Sequence, residues 1–279
     1  MKTLEGKVAL VTGASRGAGK GIALELAAAG AYVYVTGRSV KGNRTGNRPG
    51  DIDTTVEEIE KEGGRGAAVS CDHMRGGDTE QLISRISSER GRLDILVNNA
   101  WGGNELPVDE RPFWEQPLEH WSHMFDSGVH AQLITNYYAI PLMRKCPGGL
   151  IIHTTFWDRY NYLGNFYYDL AKNALVRMAY GLSRELRGDG IAVIPLSPGW
   201  MRTELVLDSF HTDEAHWQEV EELASTESTR YIGRAASALA SDPKVMELSG
   251  IPQQAGRLAE RYGFTDIDGR VVPVFLIIV

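Results

Sequence analysis

Cysteine is scarce in this sequence, and so is any sign of export. Only two of its 279 residues are cysteines, Cys71 and Cys146, and they show neither disulfide nor metal-ligand spacing. Such sparse cysteine use is typical of a reducing compartment. The first six residues contain no apolar signal-peptide core and lead straight into a predicted strand. We therefore expect a cytoplasmic protein.

Long apolar runs and an excess of basic residues are missing as well. The apolar run 271–279 is far too short to cross a bilayer, and we interpret it as either a closing strand or an oligomer contact. The formal net charge is −7, with acidic and basic residues mixed along the chain. This balance argues against nucleic acid as the main partner. We expect neither a membrane nor a nucleic acid as a partner.

The histidines do not predict a metal site. His120 and His123 are three residues apart, a spacing that a helix can use for zinc, but the sequence places no third ligand beside them. The other histidines show no metal-ligand spacing either. Core or surface roles are therefore favoured for these side chains, and we predict no bound metal.

Apolar strand-like runs alternate with helical patterns along most of the chain. This alternation is typical of an α/β fold, a doubly wound parallel sheet with helices on both faces. No linker or repeat divides the chain, so residues 1–279 are predicted to form one domain. The predicted strands are 8–11, 32–36, 67–71, 93–97, 150–154 and 191–196, and the predicted helices are 22–29, 54–62 with Asp53 or Thr54 as N-cap, 79–89, 118–145 and 167–186.

A glycine-rich turn follows the first predicted strand, with Gly13, Gly17 and Gly19 ahead of an Ala-rich helical pattern. Glycines allow a sharp turn, and the start of the following helix offers free N–H groups and a positive dipole end to an anion. The turn therefore predicts a phosphate site. Its spacing is not G-x-G-x-x-G, because Ile22 stands where the third glycine would fall. A glycine-rich turn that binds nothing is the alternative interpretation.

Tyr168 and Lys172 form a second pattern, four residues apart on a predicted helix. This spacing places both side chains on one helix face. An ammonium beside a phenol favours the phenolate and lowers the pKa of the tyrosine. Such a tyrosine can give or take a proton when a carbonyl is reduced or an alcohol is oxidised. The pattern is weak by itself, because most such pairs lie on solvated helix faces.

Taken together, these features resemble the short-chain dehydrogenase/reductase family over nearly the whole chain. The resemblance rests on motifs in the family's order and spacing, which are Thr12-Gly13-x-x-x-Gly17-x-Gly19, Asn98-Asn99-Ala100, Tyr168-x-x-x-Lys172 and Pro198-Gly199 with Thr203. The stretch 258–270, with its Asp266-x-Asp268-Gly269-Arg270 motif, looks most like the dehydrogenase/reductase member 1-like branch.

The resemblance implies a single Rossmann-type domain with a nicotinamide cofactor lying across the strand ends. It implies that Tyr168 is the catalytic acid/base and that Lys172 binds the nicotinamide ribose and depresses the pKa of the tyrosine. The implied cofactor-binding residues are Gly13, Ser15, Arg16, Gly17, Ala18 and Gly19 at the pyrophosphate, Arg38, Asp72 at the adenine, Asn98 and Ala100 beside the adenosine ribose, Tyr168, Lys172, and Pro198, Gly199, Met201 and Thr203 at the carboxamide end.

Three positions depart from the family's pattern. Thr155 replaces the usual catalytic serine, and its methyl group restricts a hydroxyl that can still bind a substrate carbonyl. Thr154 is its neighbouring candidate, which strand alternation points away. Gly128 stands where the family often carries the asparagine of a water-mediated proton relay. Trp101 replaces a glycine, and we expect its ring to narrow the space above the nicotinamide.

The substrate side of the site is less defined by the sequence. Six aromatic residues precede Tyr168 between positions 156 and 167, and they are equally suited to an apolar substrate wall or to packing and a subunit contact. Trp101, Trp157 and Tyr162 are the candidate substrate residues. Residues 213–227 are acidic and helical in pattern, and they belong either to a substrate-covering segment near 204–228 or to a solvated helix.

Cofactor choice depends on the end of the second strand, where an NAD enzyme usually carries an acidic residue. That strand ends Val35-Thr36-Gly37-Arg38, with no acid. Arg38 offers a guanidinium fork suited to a 2′-phosphate, and Arg16 approaches from the glycine turn. Arg38 stacked on the adenine would instead help either cofactor. We predict that NADP(H) is preferred, with NAD(H) second.

The sequence therefore predicts an NADP(H)-dependent oxidoreductase that interconverts a small-molecule carbonyl and a secondary alcohol. The alternative is a weakly active NADP(H)-binding scaffold or redox sensor, because Thr155 and Gly128 depart from the family's site. The family usually pairs its subunits through two long helices, here 118–145 and 167–186. A homodimer or homotetramer is therefore expected.

Overall fold

A seven-stranded parallel sheet forms the centre of the structure, a computed structural model that describes residues 2–46, 48–103, 111–159 and 161–276. Two further short strands pair with each other outside this sheet. The strands are β1 (Val8–Thr12), β2 (Tyr32–Gly37), β3 (Arg65–Ser70), β4 (Ile95–Asn98), β5 (Leu150–Thr154), β6 (Ala192–Ser197), β7 (Met201–Arg202), β8 (Glu227–Ser228) and β9 (Gln253–Gln254).

The strand order in the sheet is β3-β2-β1-β4-β5-β6-β9. The chain moves outward from β1 to β3 and then returns to place β4 on the other side of β1. This reversal leaves a crevice at the carboxyl ends of β1 and β4, which is where ligands bind in such sheets. Leu10 pairs with Tyr34 of β2 and with Leu96 of β4. The predicted doubly wound sheet is confirmed, with small shifts at the strand ends.

Helices cover both faces of the sheet, as the sequence predicts. The main helices are α1 (Gly17–Ala28), α2 (Ile52–Lys61), α3 (Gly76–Arg90), α4 (119–143, made of Glu119–Trp121, the π-helical Ser122–His130 and Ala131–Met143), α5 (Phe166–Glu185), α6 (Glu204–Ser209), α7 (Thr229–Ser241) and α8 (Ala255–Tyr262). Short 3₁₀ turns lie at Phe113–Glu115, Arg187–Asp189, Trp217–Glu219, Glu221–Ser225 and Val245–Leu248.

Two apolar clusters lie on the two faces of the sheet. One includes the buried residues of α1, α2, α7 and α8, and the other those of α3, α4 and α5. Glycines allow α1 and α7 to approach each other very closely. A Cβ atom on Gly21 would lie 1.9 Å from the carbonyl oxygen of Thr229, and one on Gly233 would lie 2.4 Å from the carbonyl oxygen of Gly21.

Helix α2 begins earlier than the sequence predicts, and its N-cap is neither Asp53 nor Thr54. The N-cap is Asp51, whose side chain accepts a hydrogen bond from the backbone N–H of Thr54 at 2.8 Å. Arg44 donates to the same carboxylate at 2.9 Å. Burial opposes ionisation of Asp51, but these hydrogen bonds outweigh it and lower its pKa to about 2. The ion pair also fixes the loop before α2.

Helix α4 is shorter than predicted and is not uniformly α-helical. Its segment Ser122–His130 is π-helical, a wider turn that often marks a functional position. The π-helical segment contains Gly128, which is buried against the site described below. Residues 104–110, between β4 and α4, lie outside the described part of the chain.

The apolar run 271–279 is not the closing strand that was one of its two interpretations, at least over its described residues, 271–276. The seventh strand is β9, which pairs with β6. Val272 is buried in the core instead, and its carbonyl accepts a hydrogen bond from the hydroxyl of Tyr231 at 3.2 Å. None of the described helices combines the length and apolar character needed to cross a bilayer.

Candidate active site

The glycine turn after β1 packs directly against the end of β4. A Cβ atom on Gly13 would lie 2.9 Å from the Cα atom of Ala100, and one on Gly19 would lie 2.4 Å from Nδ2 of Asn99. Gly13 and Gly17 have positive φ angles of 62° and 56°, which glycine adopts at little cost. An added Cβ atom on Gly17 would meet nothing closer than 3.8 Å. The turn is therefore closed toward β4 and open at Gly17.

Hydrogen bonds join the two strand ends. The Thr12 hydroxyl accepts from the backbone N–H groups of Asn99 and Ala100, each at 2.9 Å, and the Asn99 side chain donates to the Thr12 carbonyl at 3.0 Å. The Asn98 side chain points the other way and donates to Oδ1 of Asn136 in α4 at 2.8 Å. Asn98 thus reaches the predicted ribose site only through its backbone.

A carboxylate lies at the start of α1. The backbone N–H of Gly17 donates to both oxygens of Glu204, at 2.9 and 3.2 Å. The helix N-terminus therefore holds an anionic group in this structure, as the glycine turn predicts for a phosphate. Glu204 is not among the site residues that the sequence predicts. A signal for it exists, since an acidic residue directly follows Thr203 of the family motif.

Four arginines lie near the end of β2, and three of them affect the pKa of the fourth, Arg16. Arg16 donates to the Ser39 hydroxyl at 3.0 Å and to the Gly50 carbonyl at 3.1 Å. Burial lowers the pKa of Arg16, Glu204 raises it, and Arg48, Arg44 and Arg38 lower it further. Arg38 itself is exposed to solvent. The end of β2 is therefore a positively charged region, which suits a phosphate group.

The remaining predicted cofactor residues lie at the same edge of the sheet. Asp72 follows β3, and its Oδ1 accepts from the backbone N–H of Met74 at 3.1 Å. Thr203 caps α6, its hydroxyl accepting from the N–H of Val206 at 3.3 Å. The side chains or backbones that are partly exposed there are those of Ser15, Ala18, Asp72, Ala100, Pro198, Gly199, Met201 and Thr203. These positions fit an extended dinucleotide lying across the strand ends.

Tyr168 and Lys172 share a face of α5, as predicted. Asn165 caps this helix by accepting from the N–H of Tyr168 at 3.0 Å. Lys172 is buried, with 7% of its surface exposed, and its Nζ atom lies 5.4 Å from the centroid of the Tyr168 ring. In the protein alone, burial raises the pKa of Tyr168 and lowers the pKa of Lys172 to about 7. In the protein alone, desolvation therefore raises the pKa of Tyr168, whereas the neighbouring lysine was expected to lower it.

Both threonines at the end of β5, Thr154 and Thr155, donate their hydroxyl protons within the protein. Thr155 is buried and donates to the backbone carbonyl of Lys172 at 2.8 Å. Thr154 donates to Oδ1 of Asn99 at 3.2 Å, so it faces β4 as strand alternation predicts. A hydroxyl has one proton and two lone pairs. Thr155 is therefore placed to accept a hydrogen bond here, and it polarises a substrate only if its proton leaves the Lys172 carbonyl.

The Trp101 ring occupies the space beside Gly128. A Cβ atom on Gly128 would lie 2.5 Å from Cε3 and Cζ3 of Trp101. The same ring meets Tyr168 edge-on, with centroids 5.8 Å apart and planes at 87°. The two departures from the family pattern, at positions 101 and 128, are thus in contact with each other. The tryptophan fills the volume that a side chain at position 128 would need.

A row of aromatic rings leads away from Tyr168. Phe156 lies 6.3 Å from Tyr168 between ring centroids, and Phe275 lies 5.8 Å from Phe156. All three are partly exposed. Trp157 is partly exposed and bound through its backbone N–H to the Ser197 hydroxyl at 3.0 Å, and Tyr162 is 54% exposed. Phe275 is not among the predicted site residues, because no local sequence pattern links it to the aromatic residues before Tyr168.

The segment 204–228 is anchored by the Asp266–Arg270 motif. Asp266 accepts from the backbone N–H of Ser228 at 2.8 Å and lies 3.8 Å from Arg202. Arg270 donates to the carbonyls of Ala224 and Thr226 at 2.7 and 3.0 Å. This motif, which carried the resemblance to one branch of the family, thereby ties the segment to β7 beside the cofactor loop.

Known proteins match this chain over most of its length. The family model described as short chain dehydrogenase matches residues 7–214. Dehydrogenase/reductase SDR family member 1 of Homo sapiens is 34% identical over 281 residues, which cover 98% of this chain and 87% of that protein. The Mus musculus protein of the same name is 35% identical over 277 residues, covering 96% and 86%.

Solved structures of similar proteins share the fold. A short chain dehydrogenase from Mycobacterium thermoresistibile has a TM-score of 0.83 and 26% identity, covering 99% of this chain and 95% of that chain. A hydroxysteroid dehydrogenase from Escherichia coli has a TM-score of 0.73 and 27% identity, covering 90% and 95%. The predicted resemblance is thereby confirmed.

Because the Glu204 carboxylate occupies the anion site of the glycine turn, Glu204→Gln should strengthen binding of an anionic dinucleotide. Charges at a helix N-terminus typically contribute about 0.3–1 kcal/mol. Removing the competing charge should therefore lower the Kd for NADPH by about two- to fivefold, which corresponds to that range of free energy. Fluorescence titration of NADPH measures it. Glu221→Gln, in the same segment, is the control. An unchanged or weaker affinity of the Glu204 variant would show that this carboxylate does not compete with the cofactor.

Proposed function

The chain belongs to the short-chain dehydrogenase/reductase family, and from this membership we propose that it is an NADP(H)-dependent oxidoreductase that interconverts a carbonyl and a secondary alcohol. One observation carries the proposal: Tyr168 and Lys172 lie together on α5, beside a strand edge whose glycine turn already holds an anionic group. A partly exposed phenol beside a buried ammonium is a proton donor placed next to a cofactor groove.

In this mechanism, the bound nicotinamide cofactor supplies or accepts the hydride. The phenol of Tyr168 gives its proton to the carbonyl oxygen during reduction and takes it back during oxidation. Lys172 places a positive charge beside the phenol, which opposes the effect of burial and favours the phenolate. The glycine turn, Asp72 and the loop from Pro198 to Thr203 would hold the cofactor.

The row of aromatic rings supports a substrate class. Phe156 and Phe275 extend from Tyr168 as partly exposed apolar surfaces. A carbonyl compound with an aryl or branched alkyl substituent would bury apolar area there when its oxygen meets Tyr168. We therefore assign these two rings to the substituent side of the substrate, in addition to the candidates Trp101, Trp157 and Tyr162.

Tyr168→Phe should lower turnover about a hundredfold or more, since a positioned general acid contributes on that order, while NADPH affinity stays nearly unchanged. The measurement is kcat on a panel of ketones and alcohols, with Kd from fluorescence titration. Tyr180→Phe, on an exposed part of the same helix, is the control. Parental turnover in the Tyr168 variant would rule out the proposed acid. A parent that binds NADPH but turns over no compound would favour the scaffold alternative.

The preference for NADP(H) is supported by charge at the end of β2. No acidic residue ends that strand, and Arg38 is exposed there within the field of Arg16, Arg44 and Arg48. Arg44 is paired with Asp51, and Arg38, at the end of β2, and Arg16, in the glycine turn, are our candidates for the 2′-phosphate. A guanidinium fork matches phosphate geometry well.

Arg38→Ala should therefore reduce the preference for NADPH over NADH by about tenfold or more, because a charge-assisted contact contributes roughly 1.5–3 kcal/mol. The ratio of kcat/KM for the two cofactors measures this preference, and the loss should fall on NADPH. Arg144→Ala, whose side chain pairs with Asp189 at 3.0 Å, is the matched arginine control. A parent enzyme that prefers NADH would contradict the assignment.

We also propose that the chain forms a homodimer or homotetramer through α4 and α5. Apolar side chains on these helices face solvent in the single chain, including Leu133, Tyr137 and Leu170 at 52%, 74% and 42% exposure. Leu133 and Tyr137 line a groove of about 530 Å³ together with Met178 and Leu182 of α5. A partner's helices would cover this apolar surface.

Multi-angle light scattering should give two or four times the chain mass of 30.7 kDa at micromolar concentration. Tyr137→Glu should shift the protein toward the single-chain mass, because a charge would be buried without a partner at the contact. Ile251→Glu, at an exposed position after the last 3₁₀ turn, should not. A single-chain mass for the unaltered protein would reject the assembly.

A further inference from the structure

Two side chains of the site, those of Lys172 and Tyr168, contact the ring of Trp101. The Nζ atom of Lys172 lies 3.5 Å from the centroid of a Trp101 ring, well within the distance at which a cation is attracted to an aromatic face. The edge-on contact between Trp101 and Tyr168 places the same ring beside the phenol. Trp101 is therefore in contact with both residues of the proposed proton-transfer pair.

Two glycines leave the space that the Trp101 ring occupies. A Cβ atom on Gly128 would lie 2.5 Å from the ring, and one on Gly103 would also lie 2.5 Å from its Cζ2 atom. Cβ atoms do not approach other atoms that closely, so a side chain at either position would displace the tryptophan. The π-helical segment of α4 brings Gly128 to this place, and Met124 packs against the same cluster.

The ammonium needs such a neighbour, because it is buried. Burial alone lowers the pKa of Lys172 to about 7, and a cationic group that loses water is destabilised unless another group replaces the solvent. An aromatic face does so without adding a charge. The attraction is stronger at a desolvated site than at an exposed one.

We propose that Trp101 is a positioning residue that holds the Lys172 ammonium charged and in place beside Tyr168, and that position 128 is glycine because the tryptophan ring needs its space. The role in catalysis rests on the proposed function, whereas the contact itself does not. The Trp101 ring and Gly128 together take the place of the side-chain amide that the family often has at position 128.

Among the residues that the structure describes, the other groups that face Lys172 do not supply a counter-charge. Tyr168 faces it from α5, and it is neutral near pH 7 because burial raises its pKa. Thr155 faces it from the end of β5 and is uncharged. The residues of α4 that pack around Trp101 are apolar, namely Met124, Phe125 and Val129. Burial is the cause of the shift in the pKa of Lys172.

Stepwise fluorination of Trp101 tests the contact, since fluorine weakens the negative ring face and barely changes its shape. Trp101 is replaced at its own codon by mono-, di- and trifluorotryptophan. The pKa of Lys172 is read by NMR of isotope-labelled lysine side chains without cofactor, its signal assigned with Lys172→Met. A ring that favours the charged form raises this pKa. Each fluorine should therefore lower it, by about half to one pH unit across the series.

The same fluorination at Trp121, which stacks on Phe125 with centroids 4.0 Å apart, is the control and should leave the pKa of Lys172 unchanged. An equally flat series at Trp101 would overturn the proposal. With an active substrate, the basic limb of the kcat profile should move to lower pH along the Trp101 series. If no substrate is turned over but the titration shifts, the proposed function fails and the contact stands.

A double-mutant cycle tests the role of Gly128 separately. Gly128→Asn should destabilise the protein in urea denaturation, because its side chain collides with the Trp101 ring. Trp101→Gly added to it should recover much of that loss, since the asparagine then fills the vacated space. Equal stability of Gly128→Asn and the parent, or additive losses in the double variant, would overturn the assignment for position 128.

Discussion

The close approach of the β1 and β4 ends is the constraint on which the site depends. Gly13 and Gly19 leave no room for a Cβ atom against Ala100 and Asn99, and the Thr12 hydroxyl accepts hydrogen bonds from that side. Because the two turns are held together, the start of α1 has a defined position relative to the crevice between the strands. An anion bound at Gly17 is thereby aligned with the groups that follow β4 and β5.

Burial of charge governs the chemistry at the other end of the crevice. Lys172 is removed from water on a helix that also presents Tyr168, and the energetic cost appears as a lowered pKa for the lysine and a raised pKa for the tyrosine. An aromatic face is the group that lies against the ammonium. The departures at positions 101 and 128 therefore belong to one local solution for a buried cation.

The segment 204–228 connects the two ends of the site. Glu204, at its start, lies at the anion-binding turn, and Thr226, near its end, is held by Arg202 and Arg270. Phe275 follows the Asp266–Arg270 motif in the sequence, and its ring lies beside Phe156 in the aromatic row that leads away from Tyr168. Residues distant in the sequence thus meet both at the glycine turn and at the aromatic row, through one anchored segment.

The sequence by itself determined the α/β fold, the strand edge that carries the site, and the shared face of Tyr168 and Lys172, since periodicity and helix spacing are local properties of the chain. Tertiary structure alone decided which groups lie against which charges. Trp101 meets Lys172, and Glu204 meets Gly17, only because helices and loops far apart in the chain pack together. The pKa shifts depend on that packing: in the protein alone burial raises the pKa of Tyr168, which is opposite to the direction expected from a neighbouring lysine.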